Sequence, residues 1–409
     1  MANGLQLKSE VYRAGSFVYI EGQKDSKTFY IVRQGKLQIQ RDFNVLEDEN
    51  PILNVGDFFG VVSCMSAHPR DESAKALVDS VVISILRDHF GALIQKNAPI
   101  AMKIIRSFSK KLRYFDKEIA RLTLQEKESE EDPKFLFDIG EYYFNQNEYD
   151  KSAYAFQQFL KYCPADERVT QAQVRLKQMN KPFEAQEVPS QGLAKMYAAD
   201  QMIFSEHEPG EDLYIIQQGK VKITKIINNQ EVLLAVLQPG DIFGEMALLE
   251  NKPRSASAIS YGDSVMLVVN KSNFESMVVA KPQIASKLIQ LLSERIWTAY
   301  KQLENLKLKD PVARLWDTLL TQVLKQRVPI EHKAPFTFEF GPNELIKMVG
   351  FSEEEGQKYI KQLFENKKLI LDNGKIHCTD LEEIQKQVSY YKKMQEMERK
   401  RELAAKKNL

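Results

Sequence analysis

The sequence contains few cysteines and no long hydrophobic run, and these two absences already limit what the protein can be. The three cysteines, Cys64, Cys163 and Cys378, are scattered and form no C-x-x-C pair, and the five histidines form no ligand-spaced pair. This pattern argues against a disulfide framework and a zinc site. No apolar run reaches eighteen residues, and the first eight residues lack the basic-then-apolar order of a signal peptide. We therefore expect a cytoplasmic protein with no metal site and no membrane partner.

Recognisable catalytic motifs and a strong net charge are also missing. The chain has no G-x-S-x-G elbow, no Walker-type phosphate loop and no H-E-x-x-H pair. Its formal net charge is +1, so no global field favours nucleic acid or a membrane surface. The 409 residues are too many for one hydrophobic core and enough for about three domains. These features predict a multidomain protein that is not an enzyme and needs no catalytic cofactor.

What the sequence does contain is one stretch suited to binding a small anion, Phe243–Ala256, which reads FGEMALLENKPRSA. Gly244 can adopt a positive φ without a steric penalty. The N–H groups of a short helix that starts there would point at a phosphate. Arg254 can clamp the same group with paired hydrogen bonds. Glu245, which only accepts hydrogen bonds when ionised, needs a donor such as a sugar hydroxyl.

This stretch resembles the phosphate-binding cassette of cyclic-nucleotide-binding domains, with the pattern F-G-E-[ML]-A-L followed by P-R-[ST]-A. The resemblance implies that Glu245 binds the ribose 2′-hydroxyl, that Arg254 and Ser255 bind the cyclic phosphate, and that nearby backbone amides complete the cradle. The implied ligand is cAMP first, then cGMP, with a cyclic dinucleotide less favoured. A Glu–Arg salt bridge in an ordinary sandwich is the alternative. The candidate ligand-binding residues are Gly244, Glu245, Met246, Ala247, Arg254, Ser255 and Ala256.

The cassette belongs to the second copy of an internal repeat. Gly35 and Gly219 lie 184 positions apart, and Asn54–Gly60 matches Gln238–Gly244 at the same offset. A constant offset over roughly a hundred positions indicates one fold used twice. Short strands with glycine turns predict a double-sheet jelly roll in each copy, at residues 8–124 (the first copy) and 192–308 (the second copy). Each copy is predicted to have two strands around a Gln-Gly turn, at Phe29–Leu37 and Leu213–Val221.

The two copies differ at the candidate site. Val61 stands where the second copy has Glu245, and Asp71-Glu72 replaces its Ser-Ala pair, whereas Arg70 is retained. Valine cannot accept a ribose hydroxyl, and the two carboxylates would repel a phosphate. We expect them to pair with Arg70 and fill the site. The first copy is therefore predicted to be a structural or dimerising domain, with a different ligand as the alternative.

Each copy ends in a long amphipathic helix, from Ile100 to Leu124 and from Ile284 to Leu308. In Crp/Fnr-type regulators, which the second copy resembles, this helix pairs with its twin and closes over the base. Two such helices in one chain predict either a homodimer or an intrachain pseudo-dimer. Aromatic rings and hydroxyls on the second helix are candidate base contacts, although core packing explains them equally well. These residues are Trp297, Thr298 and Tyr300.

Between the copies lies a helical insert. Leu136–Pro164 resembles one tetratricopeptide repeat, and a further helix is predicted at Asp166–Met179. A charge run at Glu126–Asp132 and the segment Lys181–Ser190 are predicted linkers. One such repeat cannot bury its faces alone, so we expect it to pack on a neighbouring jelly roll. A rigid spacer is the first interpretation, and a groove for a protein partner is the second.

The C-terminal segment has the element order of a winged helix-turn-helix. A helix after Pro311 is followed by a strand at Phe336–Phe340, helices at Pro342–Val349 and Glu353–Asn366, and a hairpin at Leu369–His377 with an Asn-Gly turn. The basic stretch from residue 389 onward is predicted to be a solvated terminal helix; contact with DNA or anionic lipid is the alternative.

The predicted recognition helix opposes DNA binding. Crp/Fnr regulators begin this helix with S-R-E-T-V-S-R, whereas this chain has Ser352 followed by Glu353, Glu354 and Glu355. Acidic side chains at the groove-entering end work against contact with phosphates. Contact with DNA remains an expectation, and a winged helix that contacts proteins is the alternative. The candidate DNA contacts are Ser352, Gln357, Lys358 and Lys361.

Together these patterns predict an α+β multidomain protein with two β jelly-roll cyclic-nucleotide-binding domains, a small α-helical insert and a winged-helix domain. The predicted domains are 1–124, 125–190, 191–308, 309–388 and a basic tail, 389–409. The predicted function is a cyclic-nucleotide-responsive transcription regulator of the Crp/Fnr type, in which bound ligand favours one packing of the following helix. The alternative is a signalling adaptor that contacts proteins and not DNA.

Overall fold

Two compact units, interleaved along the sequence, make up the chain. The computed structural model describes residues 8–41, 51–124, 132–183, 188–191, 193–227, 230–246, 252–280 and 282–407. One unit holds Asp88–Ile296, and the other holds Leu7–Arg87 together with Trp297–Leu409. The strands of the first copy therefore share a unit with the C-terminal segment, whereas the second copy shares a unit with the insert. The predicted linker residues 126–131 and 184–187 lie outside the described residues.

The first copy consists of two four-stranded antiparallel sheets with the orders β1-β8-β3-β6 and β2-β7-β4-β5. Their facing sides bury apolar side chains such as Val32, Leu37 and Phe59. The predicted turn is confirmed: Gly35 has φ +88°, and a Cβ there would lie 2.2 Å from Ser80 Oγ. The elements are β1 (Lys8–Tyr12), β2 (Phe17–Tyr19), β3 (Thr28–Gln34), β4 (Leu37–Gln40), β5 (Ile52–Leu53), β6 (Phe58–Phe59), α1 (Val61–Ser66), β7 (Ser73–Ala76) and β8 (Ser80–Leu86).

Helices follow the first copy. The long one, predicted from Ile100 to Leu124, is observed as α3 with almost the same bounds, after a short helix α2. In the described part of the chain, every helix is too short or too polar to span a lipid bilayer. The bounds are α2 (Phe90–Lys96) and α3 (Ala98–Leu124).

The insert forms three helices, α4 (Leu136–Asn145), α5 (Tyr149–Tyr162) and α6 (Val169–Gln178). Gly140 allows α4 and α5 to pack closely, because a Cβ there would lie 2.6 Å from the ring of Phe156. The insert packs on the second copy as predicted: Ile139 and Tyr143 share a buried cluster with Met202 and Ile259. The Tyr143 hydroxyl also donates to Glu231 Oε1 at 2.7 Å.

The second copy has longer strands, and they join into a single seven-stranded sheet. The prediction of two strands within Leu213–Val221 was wrong, because this stretch lies inside one strand, β12. β12 pairs with β15 on both sides of an irregularity near Gln218, so the ladder continues past Gly219, which has φ +79°. The elements are β9 (Ser190–Gln191), β10 (Ala194–Tyr197), β11 (Met202–Phe204), β12 (Asp212–Ile227), β13 (Gln230–Leu237), β14 (Ile242–Phe243), β15 (Ser257–Asn270), α7 (Lys271–Ala280) and α8 (Pro282–Lys307).

The C-terminal segment packs four helices and a small sheet around one core, which contains Trp316, Phe338 and Leu363. The predicted hairpin is confirmed, since Asn373 and Gly374 both have positive φ, as a tight two-residue turn requires. The strand predicted at Phe336–Phe340 is regular over only two residues. The elements are α9 (Pro311–Lys325), β16 (Phe336–Thr337), α10 (Pro342–Val349), α11 (Glu353–Leu363), β17 (Leu369–Asp372), β18 (Lys375–Cys378) and α12 (Leu381–Lys407).

The sequence predicted a separate, solvated helix for the basic tail, and the structure contradicts this. α12 runs without a break from Leu381, and Lys392 Nζ lies 3.4 Å from Glu304 Oε2 and 3.2 Å from Asp317 Oδ1. Both carboxylates are buried, so each needs a cation or donors beside it. The tail therefore begins as part of the C-terminal core.

Candidate functional site

The cassette of the second copy begins where β14 ends. Gly244 has φ +79°, which suits glycine, and a helical turn starts at Glu245–Met246. A Cβ at Gly244 would also lie 2.7 Å from Arg254 Nη1, so glycine is required for space as well as for conformation. Ala247, one of the predicted ligand-binding residues, lies outside the described residues.

Arg254 is buried and held by backbone carbonyls. Its Nη1 donates to Gly244 O at 2.5 Å and its Nη2 to Asp212 O at 2.8 Å. The guanidinium lies 4.2 Å from the centre of the Phe204 ring. Within the described residues its Nε–H has no hydrogen-bond partner. The arginine is thus fixed in place with one buried donor left for an anion.

Gly210 provides the room for this arginine. A Cβ at Gly210 would lie 2.3 Å from Arg254 Nε. The cassette motif could not predict this contact between Gly210 and Arg254, because Gly210 precedes β12 and is far from the motif in sequence.

Glu245 is the acid of the site, and it is only 1% exposed. Its Oε1 lies 2.6 Å from Nη1 of Arg295, which belongs to α8 and remains 43% exposed. Although the surrounding protein disfavours charge on Arg295, the carboxylate of Glu245 raises the pKa of the guanidinium. This ion pair orients the carboxylate.

The helix α3, which follows the first copy, supplies further residues to this site. Arg113 is buried, and its Nη1 donates to Pro253 O at 3.3 Å. Asp116, one helical turn later, is exposed and interacts electrostatically with Arg295 and Glu245; partial loss of hydration and the charge of Glu245 raise the pKa of Asp116, and Arg295 limits the rise. Neither residue was a predicted contact. The internal repeat points to them, because Arg113 and Asp116 stand 184 positions before Trp297 and Tyr300, two of the predicted base contacts.

Three other predicted ligand-binding residues, Met246, Ser255 and Ala256, are partly or fully buried. Met246 is buried, with its sulfur 3.9 Å from Arg295 Nη2. Ser255 and Ala256 are partly exposed. They directly follow Arg254, whose guanidinium donates to Gly244 O. The predicted phosphate-binding residues at the two ends of the cassette therefore lie close together.

The first copy has the same arginine geometry without the acid. Gly60 has φ +68°, and Arg70 Nη1 donates to Gly60 O at 3.1 Å while its Nη2 donates to Thr28 O at 2.5 Å. These partners match those of the second copy at the 184-residue offset. Val61, however, is buried where the second copy has its carboxylate.

The prediction that Arg70 pairs with Asp71 and Glu72 was wrong for Glu72. Its carboxylate lies 2.9 Å from Arg41 Nη2 and accepts the Tyr19 hydroxyl at 3.0 Å. Arg70 is already engaged by two carbonyls and by the Ser63 hydroxyl at 3.2 Å. Arg41, from the end of β4, was missed because nothing in the cassette pattern refers to it.

The predicted base contacts need a correction as well. The Trp297 ring stacks on His68 with 3.6 Å between ring centres and 10° between the planes. The Tyr300 ring lies 4.7 Å from the guanidinium carbon of Arg41. Both rings are 1% exposed, and their contacts are with the first copy. As placed they are not free to stack on a base. Thr298 is partly exposed.

The candidate DNA contacts lie on the exposed side of α11. Ser352 caps this helix by accepting the Glu355 N–H at 3.4 Å, and Gln357 Nε2 donates to Asn343 Oδ1 at 2.9 Å. Lys358 and Lys361 are exposed. The three glutamates of the first turn are exposed too, so the acidic end of the helix faces solvent.

Comparison with known proteins identifies both copies. The family model described as the cyclic nucleotide-binding domain matches residues 9–97 and 194–281. The cyclic AMP receptor protein of Thermus thermophilus is 29% identical over 194 residues, covering 46% of this chain and 87% of that protein. A CRP-like cAMP-activated global transcriptional regulator of Mycobacterium tuberculosis is 28% identical over 185 residues, covering 44% and 82%. A crystal structure of the Thermus thermophilus catabolite activator protein is 26% identical and covers 48% of this chain and 90% of that one, with a TM-score of 0.28.

Proposed function

We propose that the chain is a regulator that senses one cyclic nucleotide, cAMP in the first place, through its second copy. The match of both copies to the family model of the cyclic nucleotide-binding domain supports this proposal. The observation that carries this proposal is the pairing of a buried, oriented carboxylate, Glu245, with a buried arginine, Arg254, on either side of Gly244. Two relatives whose names refer to cAMP support the choice of ligand.

The phosphate of the ligand would bind at Arg254. Its guanidinium is fixed by Gly244 and Asp212, so little conformational entropy remains to be lost when an anion binds. The unpartnered Nε–H and the polar Ser255 supply donors, and the charge-assisted hydrogen bonds formed there are stronger than neutral ones. Backbone N–H groups at the start of the helical turn would add to the cradle.

The ribose would bind at Glu245. A 2′-hydroxyl donates to a carboxylate, and Arg295 already orients this one at 2.6 Å. The hydroxyl would therefore compete with or reinforce an ion pair that joins the cassette to α8. In this proposal the ligand binds one arrangement of α8 more tightly than another. Binding therefore shifts the population of α8 towards the first arrangement, and this shift transmits the signal.

The output is proposed to be transcriptional, through a winged helix at residues 309–388 that contacts DNA with Lys358 and Lys361. One observation favours the second candidate, a signalling adaptor. Glu353, Glu354 and Glu355 are exposed at the start of α11, where DNA-reading helices present cations. An acidic helix end of this kind suits a basic protein surface better than a phosphate backbone. The insert offers another surface for a protein partner.

A pair of matched arginine variants tests the ligand site. Arg254→Ala and Arg70→Ala remove the same side chain from two equivalent positions, and both arginines bond to two carbonyls. Calorimetric titration with cAMP and cGMP should give one site per chain in the wild type. Arg254→Ala should weaken binding by about 100-fold, the loss expected for a charge-assisted contact to phosphate. Arg70→Ala should bind like the wild type, and equal losses in both variants would sink the assignment.

A second experiment separates regulator from adaptor. DNA binding by the full chain is measured with and without cAMP between about 50 and 200 mM salt, because phosphate contacts make affinity fall steeply with salt. A ligand-dependent complex with a steep salt slope supports the transcriptional output. If no complex forms with the wild type or with a variant in which the three α11 glutamates are changed to glutamine, the adaptor is the better-supported function.

A further inference from the structure

Three contacts join the first copy to the segment after Ile296, and all three lie within one compact unit. Trp297 stacks on His68 at 3.6 Å with nearly parallel rings. The Tyr300 ring faces the guanidinium of Arg41 at 4.7 Å. Arg327, just beyond α9, donates from Nη2 to Ser66 O at 3.1 Å.

These contacts fall on a particular part of the first copy. Ser66 and His68 lie between Gly60 and Arg70, the stretch that corresponds in the repeat to the ligand cassette of the second copy. An indole is a flat bicyclic ring about the size of a purine, and here it lies over that cassette. His68 and Trp297 are each 1% exposed, so neither ring face is open to solvent.

The charges of this region are also balanced internally. Glu72, at the position of Ala256 in the second copy, pairs with Arg41 at 2.9 Å, and the Arg41 side chain is only 2% exposed. Arg41 in turn faces the Tyr300 ring, so the ion pair is covered by α8. Without the Tyr300 ring, the Arg41–Glu72 ion pair would be exposed or poorly packed. A buried ion pair without good packing around it is energetically costly.

We propose that the first copy acts as an intramolecular anchor: its cassette surface and Arg41 hold α8 through Trp297 and Tyr300, and thereby fix the position of the segment from α8 to α9 within this unit. The altered cassette, with Val61 and Glu72, is then a surface adapted to the chain itself. This proposal stands on contacts within one compact unit and does not depend on ligand binding in the second copy.

Hydrogen exchange on the full-length protein tests the anchor. The variants are Trp297→Ala, Trp297→Phe, which keeps an aromatic ring on His68, and the control Tyr390→Ala, an exposed residue of α12. Exchange at Val61–Ser66 should rise about tenfold or more in Trp297→Ala, less in Trp297→Phe, and not in the control. Exchange in β12 of the second copy should stay unchanged, which separates loss of the anchor from general destabilisation.

Two results would overturn the proposal. One is unchanged exchange at Val61–Ser66 in a folded Trp297→Ala protein, which would mean that the stack does not hold this surface. The other is slower exchange at Val61–Ser66 when cAMP or cGMP is added to Arg254→Ala, in which the second site is disabled. That result would make the first copy a ligand site and not an anchor. Failure of nucleotide binding in the wild type would refute the proposed function and leave this inference standing.

Discussion

Among single residues, Glu208 links folding to pH near neutrality through the ionisation of its carboxyl group. Burial raises the pKa of its carboxyl group to about 7, from an ordinary value of 4.5. The Ser205 N–H at 2.9 Å and the Tyr154 hydroxyl at 3.0 Å limit the rise without cancelling it. The folded state therefore holds this proton more tightly than the unfolded state does. Its contribution to stability is fully present below pH 4.5 and is lost as the pH rises through 7.

Glu208→Gln should flatten this pH dependence, since glutamine keeps an acceptor for Ser205 and does not titrate. Between pH 5 and 7.5, the free energy of unfolding of the wild type should fall by up to about 3 kcal/mol more than that of the variant. Urea denaturation at the two pH values measures the difference. Glu211→Gln, an exposed neighbour, is the control and should behave like the wild type. Parallel curves for wild type and Glu208→Gln would contradict the assignment.

Which site residues could be predicted depends on how far away their partners lie. Arg254 and Gly244 are neighbours in one short motif, so the pattern itself carries their relation. The partner of Glu245 is Arg295, fifty positions later on a different helix. Arg41 reaches Glu72 from another strand, and no local pattern announces it. Contacts of this kind follow from the packing of elements, which a motif does not contain.

At the scale of elements, one buried ion-pair network fastens the terminal helix α12 to the rest of its unit. Lys392 lies between Glu304 of α8 and Asp317 of α9, both at most 2% exposed. Lys301 Nζ also lies 2.5 Å from Glu304 Oε2. Although burial disfavours its charge, the carboxylates of Asp317 and Glu304 raise the pKa of Lys392. The network therefore depends on this lysine for its charge balance.

Lys392→Gln should destabilise the protein by about 3 kcal/mol, because removing one partner of a buried pair leaves a carboxylate uncompensated. Its neighbour Lys393 is exposed, so Lys393→Gln should stay within about 0.5 kcal/mol of the wild type. Thermal or chemical denaturation compares the two variants. Equal stabilities would mean that solvent, and not the lysine, balances Glu304 and Asp317.

Helices were easier to predict than the continuity of strands. The bounds of α3, α8 and α10 follow from apolar periodicity and from prolines at or near helix starts. The glycine in β12 was interpreted as a turn, as it is between β3 and β4. Both glycines have a positive φ and the same close approach to a serine. Whether the ladder stops or continues there depends on the register of the neighbouring strand, which the local sequence does not reveal.

At the scale of the molecule, the compact units do not follow the order of the repeat. The first copy packs with Trp297–Leu409, and the second copy packs with the insert and α3. Domain boundaries drawn from the sequence, such as 190/191, separate segments that belong to one unit. Periodicity and motifs predict the secondary structure and the kind of site that each segment forms. They do not predict which distant segment packs against its apolar face.

A fragment of residues 191–409 should therefore lack a native environment for Trp297, because His68 and Arg41 are absent from it. In a Trp316→Phe background, the fragment should emit at a longer wavelength than the full chain does, and adding a fragment of residues 1–190 should reverse the shift. In a Trp297→Phe background, the emission of Trp316 should be native in both, since its core lies within residues 312–388. Identical Trp297 emission in fragment and full chain would contradict this division.

Under the proposed function, the difference between Val61 and Glu245 determines how the occupancy of the chain depends on ligand concentration. In a dimer of identical subunits every substitution appears in both sites, so neither half can give up binding alone. Here both copies lie on one polypeptide, and each has been free to change by itself. With one complete site, a single chain fills along a simple saturation curve, from one-tenth to nine-tenths over an about 80-fold rise in ligand. Under the proposed function, such a chain grades its response to the ligand and does not switch abruptly.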